Sequence, residues 1–289
     1  MSTSKRGIVY VATGDKYVRE AADSSATVRE HAEKLPICLI TDERPSYGEW
    51  DDVVVLERPT FSFEDKLEML RAPYDAVLFL DTDTKVLGPL DEVFELLNRF
   101  DIALHQTPFG TWYDLPGVPK AFPEFNSGVI AFRKSAAVHE MFEYWAEDYR
   151  QIGMPEDQPG LRKAVFRSDV RYAWLPPEFN IMPYMPTRVN RPLFIAHGRA
   201  MLDQMVNETQ TGWRADGGEI RADRAWVPRL GLIPTHNRAT WPQLLRLWLR
   251  VSLMIGVEAA KRGLKVRPSA TKMSRLKRVL RIDTGSNSH

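Results

Sequence analysis

Residues 77–86 read VLFLDTDTKV: four apolar residues, then Asp81-Thr82-Asp83, then a threonine and a lysine. With Ala76 in front, the apolar run is continuous rather than alternating, as expected of a strand covered on both faces in an α/β sheet. The flanking sequence agrees. GIVYVAT (7–13), PICLIT (36–41), DVVVLE (52–57), DIALHQ (101–106) and GVIAF (128–132) all read as short strands. Between them, Ala21, Ser25, Val28 and Ala32 form one helical stripe. Pro89 opens a helix with Leu90, Val93, Phe94 and Leu97 apolar and Asp91 and Glu92 in its first turn. Val138, Met141, Phe142, Trp145 and Tyr149 share a face of another helix. This alternation predicts an α/β sandwich with a largely parallel sheet.

Composition bounds the rest. The chain has 289 residues, 44% apolar and 27% charged, with 8 Trp and 13 Phe, which excludes a disordered or collagen-like polypeptide. Its single cysteine, Cys38, excludes an intrachain disulfide scaffold and a cysteine-rich zinc module. The N-terminal apolar run is too short for a signal peptide, and no uncharged stretch of about 18 apolar residues offers a membrane span. A cytoplasmic protein is expected. The net charge of +1 conceals a split: residues 1–200 carry a net of −8 (23 basic, 31 acidic) and residues 201–289 a net of +9 (16 basic, 7 acidic).

Two proline-rich stretches interrupt the alternation, 107–126 with Trp112 and Tyr113, and 176–192. Long ordered loops are common places for function, and the first is the candidate for ligand binding or for a lid over a site. The alternation fades after residue 200, so a domain over 1–200 and a C-terminal extension over 201–289 are expected. The extension contains an amphipathic helix at 241–262 and nine basic residues with no acid between Lys261 and Arg281. That pattern fits peripheral docking on the anionic cytoplasmic face of a membrane, or a helix packed on the first domain with a solvated basic end. No nucleic acid partner is expected, because the basic run lacks interleaved aromatics.

Asp81 and Asp83 stand just past the carboxyl end of a buried strand, where open α/β sheets bind ligands. Two carboxylates at i and i+2 can approach one divalent cation. The alternative is a strand-terminal turn with a helix-capping Asp. LFIAHG (193–198) is a short strand ending in His197. Alone that histidine suits a structural role, but with Asp81 and Asp83 it would complete a mixed oxygen–nitrogen site better suited to Mn²⁺ or Mg²⁺ than to zinc. A strand followed by DxDxT also fits phosphatases of the haloacid dehalogenase class, with Asp81 as nucleophile. That class carries the motif near the chain start and a later acidic pair, and neither is present.

The order VATGDKYV (11–18), DKLEML (65–70), LFLDTDTKVLGPLDEVF (78–94), FNSGVIAF (125–132), EDQPGLRKAV (156–165), LPPEFN (175–180) and IAHG (195–198) resembles the glycogenin-like glycosyltransferases of family 8. The resemblance covers residues 7 to about 200. It implies the GT-A fold, a Rossmann-like mixed sheet flanked by helices, and a retaining transfer from a nucleotide-sugar donor, UDP-sugar favoured, with Mn²⁺ or Mg²⁺. It places Val11, Thr13, Gly14 and Tyr17 at the nucleoside, with the Tyr17 ring against the base. It implies Lys66 near the diphosphate and sugar, and Asp81, Asp83 and His197 on the metal with Thr82 between. Asn126, Ser127 and Gly128 would line the donor sugar, and Asp157 and Gln158 would contact its hydroxyls near the reacting carbon, making Asn126, Asp157 and Gln158 the catalytic candidates. Other readings of single residues stay open: Tyr17 as a core aromatic, Lys66 as a solvated helix residue, Asp157 as a helix N-cap.

The departures are local. Family members follow the metal histidine with a glycine and, a few residues on, a lysine. Here His197-Gly198-Arg199 offers Gly198 and Arg199 at the phosphates instead. Gly14 replaces an asparagine common in the family, and nothing after residue 200 resembles glycogenin's C-terminal region, so glycogen priming is not inferred. The acceptor is a glycan, lipid or protein that the sequence does not name. A non-catalytic nucleotide-binding protein is the remaining alternative.

Overall fold

A computed structural model describes residues 5–107, 113–189, 191–199, 202–207, 224–228, 231–234 and 249. The apolar runs form strands close to where the sequence places them: β1 (Arg6–Val11), β2 (Ile37–Thr41), β3 (Asp52–Val55), β4 (Ala76–Leu80), β5 (Thr84–Val86), β6 (Ile102–Gln106) and β7 (Phe125–Arg133). Helices α1 (Asp15–Ala32), α2 (Asp91–Leu96), α3 (Ala136–Ile152) and α4 (Gln158–Arg167) alternate with them. Shorter strands follow: β8 (Tyr172–Trp174), β9 (Thr187–Val189), β10 (Ile195–His197), β11 (Arg224–Val227) and β12 (Gly231–Pro234).

The main sheet has seven strands in the order β3-β2-β1-β4-β7-β6-β8. Neighbours are parallel except at β7, which runs against both β4 and β6. That reversal positions the site. Because β7 enters where β4 ends, Val129 pairs with Leu80, and the Asp81 amide donates to the Gly128 carbonyl at 2.8 Å. Asn126, Ser127 and Gly128 are thereby set beside the Asp81–Asp83 turn.

Both faces of the sheet are covered, which explains the continuous apolar run of β4. Ile8, Tyr10, Leu78 and Leu80 pack with α1 and α2 residues such as Val18, Val28, Val93 and Phe94. Val9, Val77 and Phe79 face the other way, toward Met141, Phe142 and Trp145 of α3 and Leu161 of α4. Truncating a fully buried ring such as Phe79 to alanine would cost about 3–5 kcal/mol. Ser135 caps α3, its hydroxyl accepting from the Val138 amide, and Gly153 ends the helix in the left-handed region at φ 66°.

Three details depart from the sequence reading. Strand β7 starts three residues ahead of GVIAF, because buried Asn126 and Ser127 satisfy their polar groups inside the site and let the strand continue. The helix expected at Pro89 begins at Asp91, with Leu90 in the cap position. Strand β8 gave no periodic signal, being a three-residue edge. Beyond residue 200 the chain still contributes strands: β11 pairs with β9 and β12, and the buried Trp226 donates its indole N–H to the Pro183 carbonyl at 2.6 Å.

The chain divides into two units, residues 1–237 and 238–289. The amphipathic helix expected at 241–262, Leu249 apart, and the basic segment after it lie outside the described residues, as does Trp112. From Tyr113 onward the proline-rich segment is tied to α4, where buried Arg162 donates to the carbonyls of Pro119 (3.0 Å) and Phe122 (2.8 Å). Among the described residues no helix is long and apolar enough to cross a membrane.

Candidate functional site

A cleft of about 630 Å³ opens at the carboxyl ends of β1 and β4, within the usual range for small-molecule sites. Its floor is the β4–β5 turn. The Thr84 amide and hydroxyl both donate to the Asp81 carbonyl, at 3.2 and 2.8 Å, which tightens the turn and aims both aspartates into the cleft. Strand β10 pairs antiparallel with β5, setting His197 opposite Thr84, and the Gly198 amide donates to the Asp83 carbonyl at 3.0 Å. This pairing, between segments far apart in sequence, delivers the histidine to the aspartates.

His197 Nε2 lies 3.6 Å from Asp81 Oδ2 and 3.4 Å from Asp83 Oδ1. Donor atoms of all three residues fall within 4.8 Å of one another. Burial opposes the imidazolium, but the two carboxylates outweigh it and raise the His197 pKa to about 9. Burial likewise opposes ionisation of Asp81, yet Lys66 and His197 hold it down at about 2. Two ionised carboxylates and one imidazole, open to the cleft on one side, fit a hard or borderline divalent cation.

The opposite wall carries a buried cation. Lys66 Nζ is 3.0 Å from Asp81 Oδ1, 3.3 Å from Asp157 Oδ2 and 3.4 Å from Ser127 Oγ, and the Phe63 and Phe79 rings lie 5.3 and 5.5 Å away. Burial works against its charge, but Asp157 and Asp81 push it up to about 12. Lys66 is therefore not a solvated helix residue. Asp157 stands at the N-cap position of α4 without making the capping hydrogen bond. Its carboxylate instead accepts from Ser127 Oγ at 2.8 Å and faces Lys66. The Trp145 indole fixes the Asp157 carbonyl at 3.0 Å, and Gln158 follows on the cleft wall with its Oε1 3.4 Å from Asn126 Nδ2.

At the far end, Val11, Thr13 and Gly14 line the cleft as β1 gives way to α1. Gly14 takes φ +88°, and its amide donates to Asp42 Oδ1 at 2.8 Å. The Thr13 hydroxyl donates to Asp65 Oδ2 at 2.9 Å. Tyr17 is exposed on the wall, not a core aromatic, with the Arg199 guanidinium 5.7 Å from its ring centroid. Arg199 makes a two-pronged contact with Glu20 at 2.7 and 2.6 Å and reaches Asp83 Oδ2 at 3.2 Å. The Thr82 hydroxyl also donates to Glu20.

Fourteen of the sixteen residues expected at the site thus line one cleft. Gly128 and Gly198 lie behind it. A Cβ on Gly128 would meet the His197 ring, and one on Gly198, at φ +119°, would meet the Tyr184 ring at 2.9 Å, so both positions need glycine to let these rings pack. The sequence reading missed Glu20, Asn180, Asp65 and Tyr184. Asn180 ends the quoted LPPEFN block, and that position was the one available signal for it. Glu20 resembled any solvated helix residue. Phe61 was missed as well; it lines the cleft with φ 53°, uncommon for a non-glycine, in a turn held by the buried Asp65 carboxylate.

No family model matches the sequence, and no curated protein matches it by sequence. Solved structures do resemble it. The galactosyltransferase LgtC, in complex with donor and acceptor sugar analogs, superposes with a TM-score of 0.51 at 16% identity over 72% of this chain and 99% of its own. An active-site mutant of LgtC gives 0.52 at the same identity and coverage. The glycosyltransferase GlyE of Streptococcus pneumoniae TIGR4 gives 0.53 at 17% identity over 76% of this chain and 66% of its own. The chain has the GT-A fold of these glycosyltransferases, as the sequence resemblance implied.

Proposed function

We propose that the chain is a metal-assisted glycosyltransferase that moves a sugar, with retention, from a nucleoside diphosphate donor, UDP-sugar favoured, to a glycan, lipid or protein acceptor. The observation that carries this is the convergence in one cleft of Asp81, Asp83 and His197 on one wall and Lys66, Asp157, Gln158 and Asn126 on the other. Likeness of fold to LgtC, whose structure holds donor and acceptor sugar analogs, supports the same reading.

Asp81, Asp83 and His197 would hold Mn²⁺ or Mg²⁺, which when bound offsets the charge of the departing diphosphate without a proton transfer. Arg199 is a cation on the cleft wall that would take a phosphate oxygen, in place of the lysine common in similar enzymes. Tyr17 offers its ring face to the base. Lys66 brings a fixed positive charge to where the glycosidic oxygen leaves, and burial strengthens its effect. The Asp157 carboxylate and the Gln158 and Asn126 amides supply acceptors and donors for sugar hydroxyls beside the reacting carbon. No protein nucleophile is assigned.

The phosphatase reading finds no support in the fold, which is that of glycosyltransferases. Calorimetry with UDP tests the proposal. Binding in Mn²⁺ that weakens at least tenfold in EDTA is expected. Equal binding in both, or none in either, would contradict it.

A further inference from the structure

We infer that Asn180 is a positioning residue that fixes the orientation of His197 toward the two aspartates and ties it to the sugar-facing amides. The inference rests on the metal-assisted reading above for its consequence, but its geometry stands independently. The starting point is a group whose role is unambiguous: the Gly128 backbone N–H donates to Asn126 Oδ1 at 2.9 Å, so the oxygen of that amide faces Gly128. The same oxygen is 2.8 Å from the Asn180 amide, which must therefore present its Nδ2 hydrogens there. Asn180 Oδ1 is then left facing His197 Nδ1 at 3.0 Å, and Nδ1 carries a hydrogen. His197 Nε2 is the nitrogen turned to Asp81 and Asp83.

The chain continues the other way. Asn126 Nδ2 donates to Gln158 Oε1 at 3.4 Å, which fixes the end of the Gln158 amide turned to Asn126. The side-chain hydrogen bonds thus run in one direction, from His197 through Asn180 and Asn126 to Gln158, and the Gly128 amide, a second donor to Asn126 Oδ1, fixes their sense. Asn180 is fully buried, with Asn126 and His197 nearly so. The backbone pins the ends, since the Ile181 amide donates to the Ile195 carbonyl and the His197 amide to the Ile181 carbonyl, at 3.0 and 2.9 Å. A ligating histidine ordinarily donates its second ring N–H to a partner that sets its orientation, and loss of that partner commonly weakens metal binding by about 10–100-fold. Asn180 fills that place and, unlike a carboxylate, also donates onward to Asn126.

Two substitutions separate its two hydrogen bonds. Asn180→Asp keeps an acceptor for His197 Nδ1–H but has no hydrogen for Asn126. Asn180→Ala loses both. Thermal unfolding verifies that each folds. Mn²⁺ titration and proton–nitrogen spectra of ¹⁵N-histidine-labelled, metal-free protein, with the His197 signal assigned by its absence from His197→Asn, then read the roles apart. Wild type and Asn180→Asp should show a downfield, slowly exchanging Nδ1–H and similar Mn²⁺ affinity. Asn180→Ala should lose that signal and bind Mn²⁺ about 10–100-fold more weakly. With donor, Asn180→Asp should lower kcat more than it raises KM. An unchanged His197 signal and Mn²⁺ affinity in Asn180→Ala would overturn the positioning role. Failure of wild type to bind Mn²⁺ would instead overturn the metal-assisted reading, and the metal-free ring signal would still decide the Asn180 contact.

Discussion

A Cβ atom on Gly128 would stand 2.0 Å from His197 Cε1 and 2.5 Å from Nε2, so the buried imidazole fills the space that any side chain at 128 would need. The overlap is with a ring packed between strands, and relief requires the ring or β7 to move. Gly128→Ala should fold with a loss of about 1–3 kcal/mol and lose Mn²⁺ affinity by more than tenfold. Denaturant unfolding and metal titration of the same preparation test both parts. Unchanged metal affinity would place the cation elsewhere.

On the metal-assisted reading, the raised pKa of His197 makes cation binding depend on pH. At pH 6–8 the ring holds a proton between the aspartates, and a cation must displace it. Apparent Mn²⁺ affinity should therefore rise about tenfold per pH unit from pH 6 to 8 and level off above the pKa of about 9. Asp81, held near 2, stays ionised throughout and adds no slope. For metal-free protein, the stabilisation from the His197 proton is full below its ordinary pKa of about 6.5 and is lost as pH rises through about 9. A flat affinity profile across this window would remove His197 from the metal site.

Lys66 is shared by two carboxylates, Asp81 and Asp157, in a nearly water-free setting. Lys66→Ala leaves both beside each other without a cation, and should cost about 3–5 kcal/mol of stability. Lys66→Arg should recover most of that stability and only part of the transfer rate. Thermal unfolding and initial rates on the pair of variants separate the structural charge from the catalytic one.

Arg199 sits between Glu20 and Asp83 and can exchange one anion for a phosphate. Arg199→Ala should weaken UDP binding by about 10–100-fold, the worth of one charge-assisted hydrogen bond, while Arg199→Lys should lose far less. Equal affinity of all three proteins would show that Arg199 is a surface ion pair and no more.

The strand VLFL with its DTD ending was legible because burial on both faces and a carboxyl-end turn leave direct marks in sequence. Lys66, Asp157 and Gln158 were legible only through the family resemblance, since each is ordinary in its own helix pattern. Glu20 left no mark and Asn180 only its place at the end of LPPEFN: their contacts arise from the β5–β10 pairing and from Arg199 folding back on α1, between segments far apart in sequence. The early start of β7 was hidden for the opposite reason, because Asn126 and Ser127 read as loop residues until their partners in the site are seen.

The most direct measurement is release of nucleoside diphosphate from a panel of UDP-, GDP- and CDP-sugars by the purified protein in Mn²⁺, alongside Asp83→Ala and an EDTA control. A glycosyltransferase built on this cleft should release the diphosphate from one donor, UDP-linked, with loss of release in Asp83→Ala and in EDTA. No release from any donor with a glycan, lipid or protein acceptor mixture present, or release indifferent to EDTA and to Asp83→Ala, would contradict a metal-assisted sugar transferase.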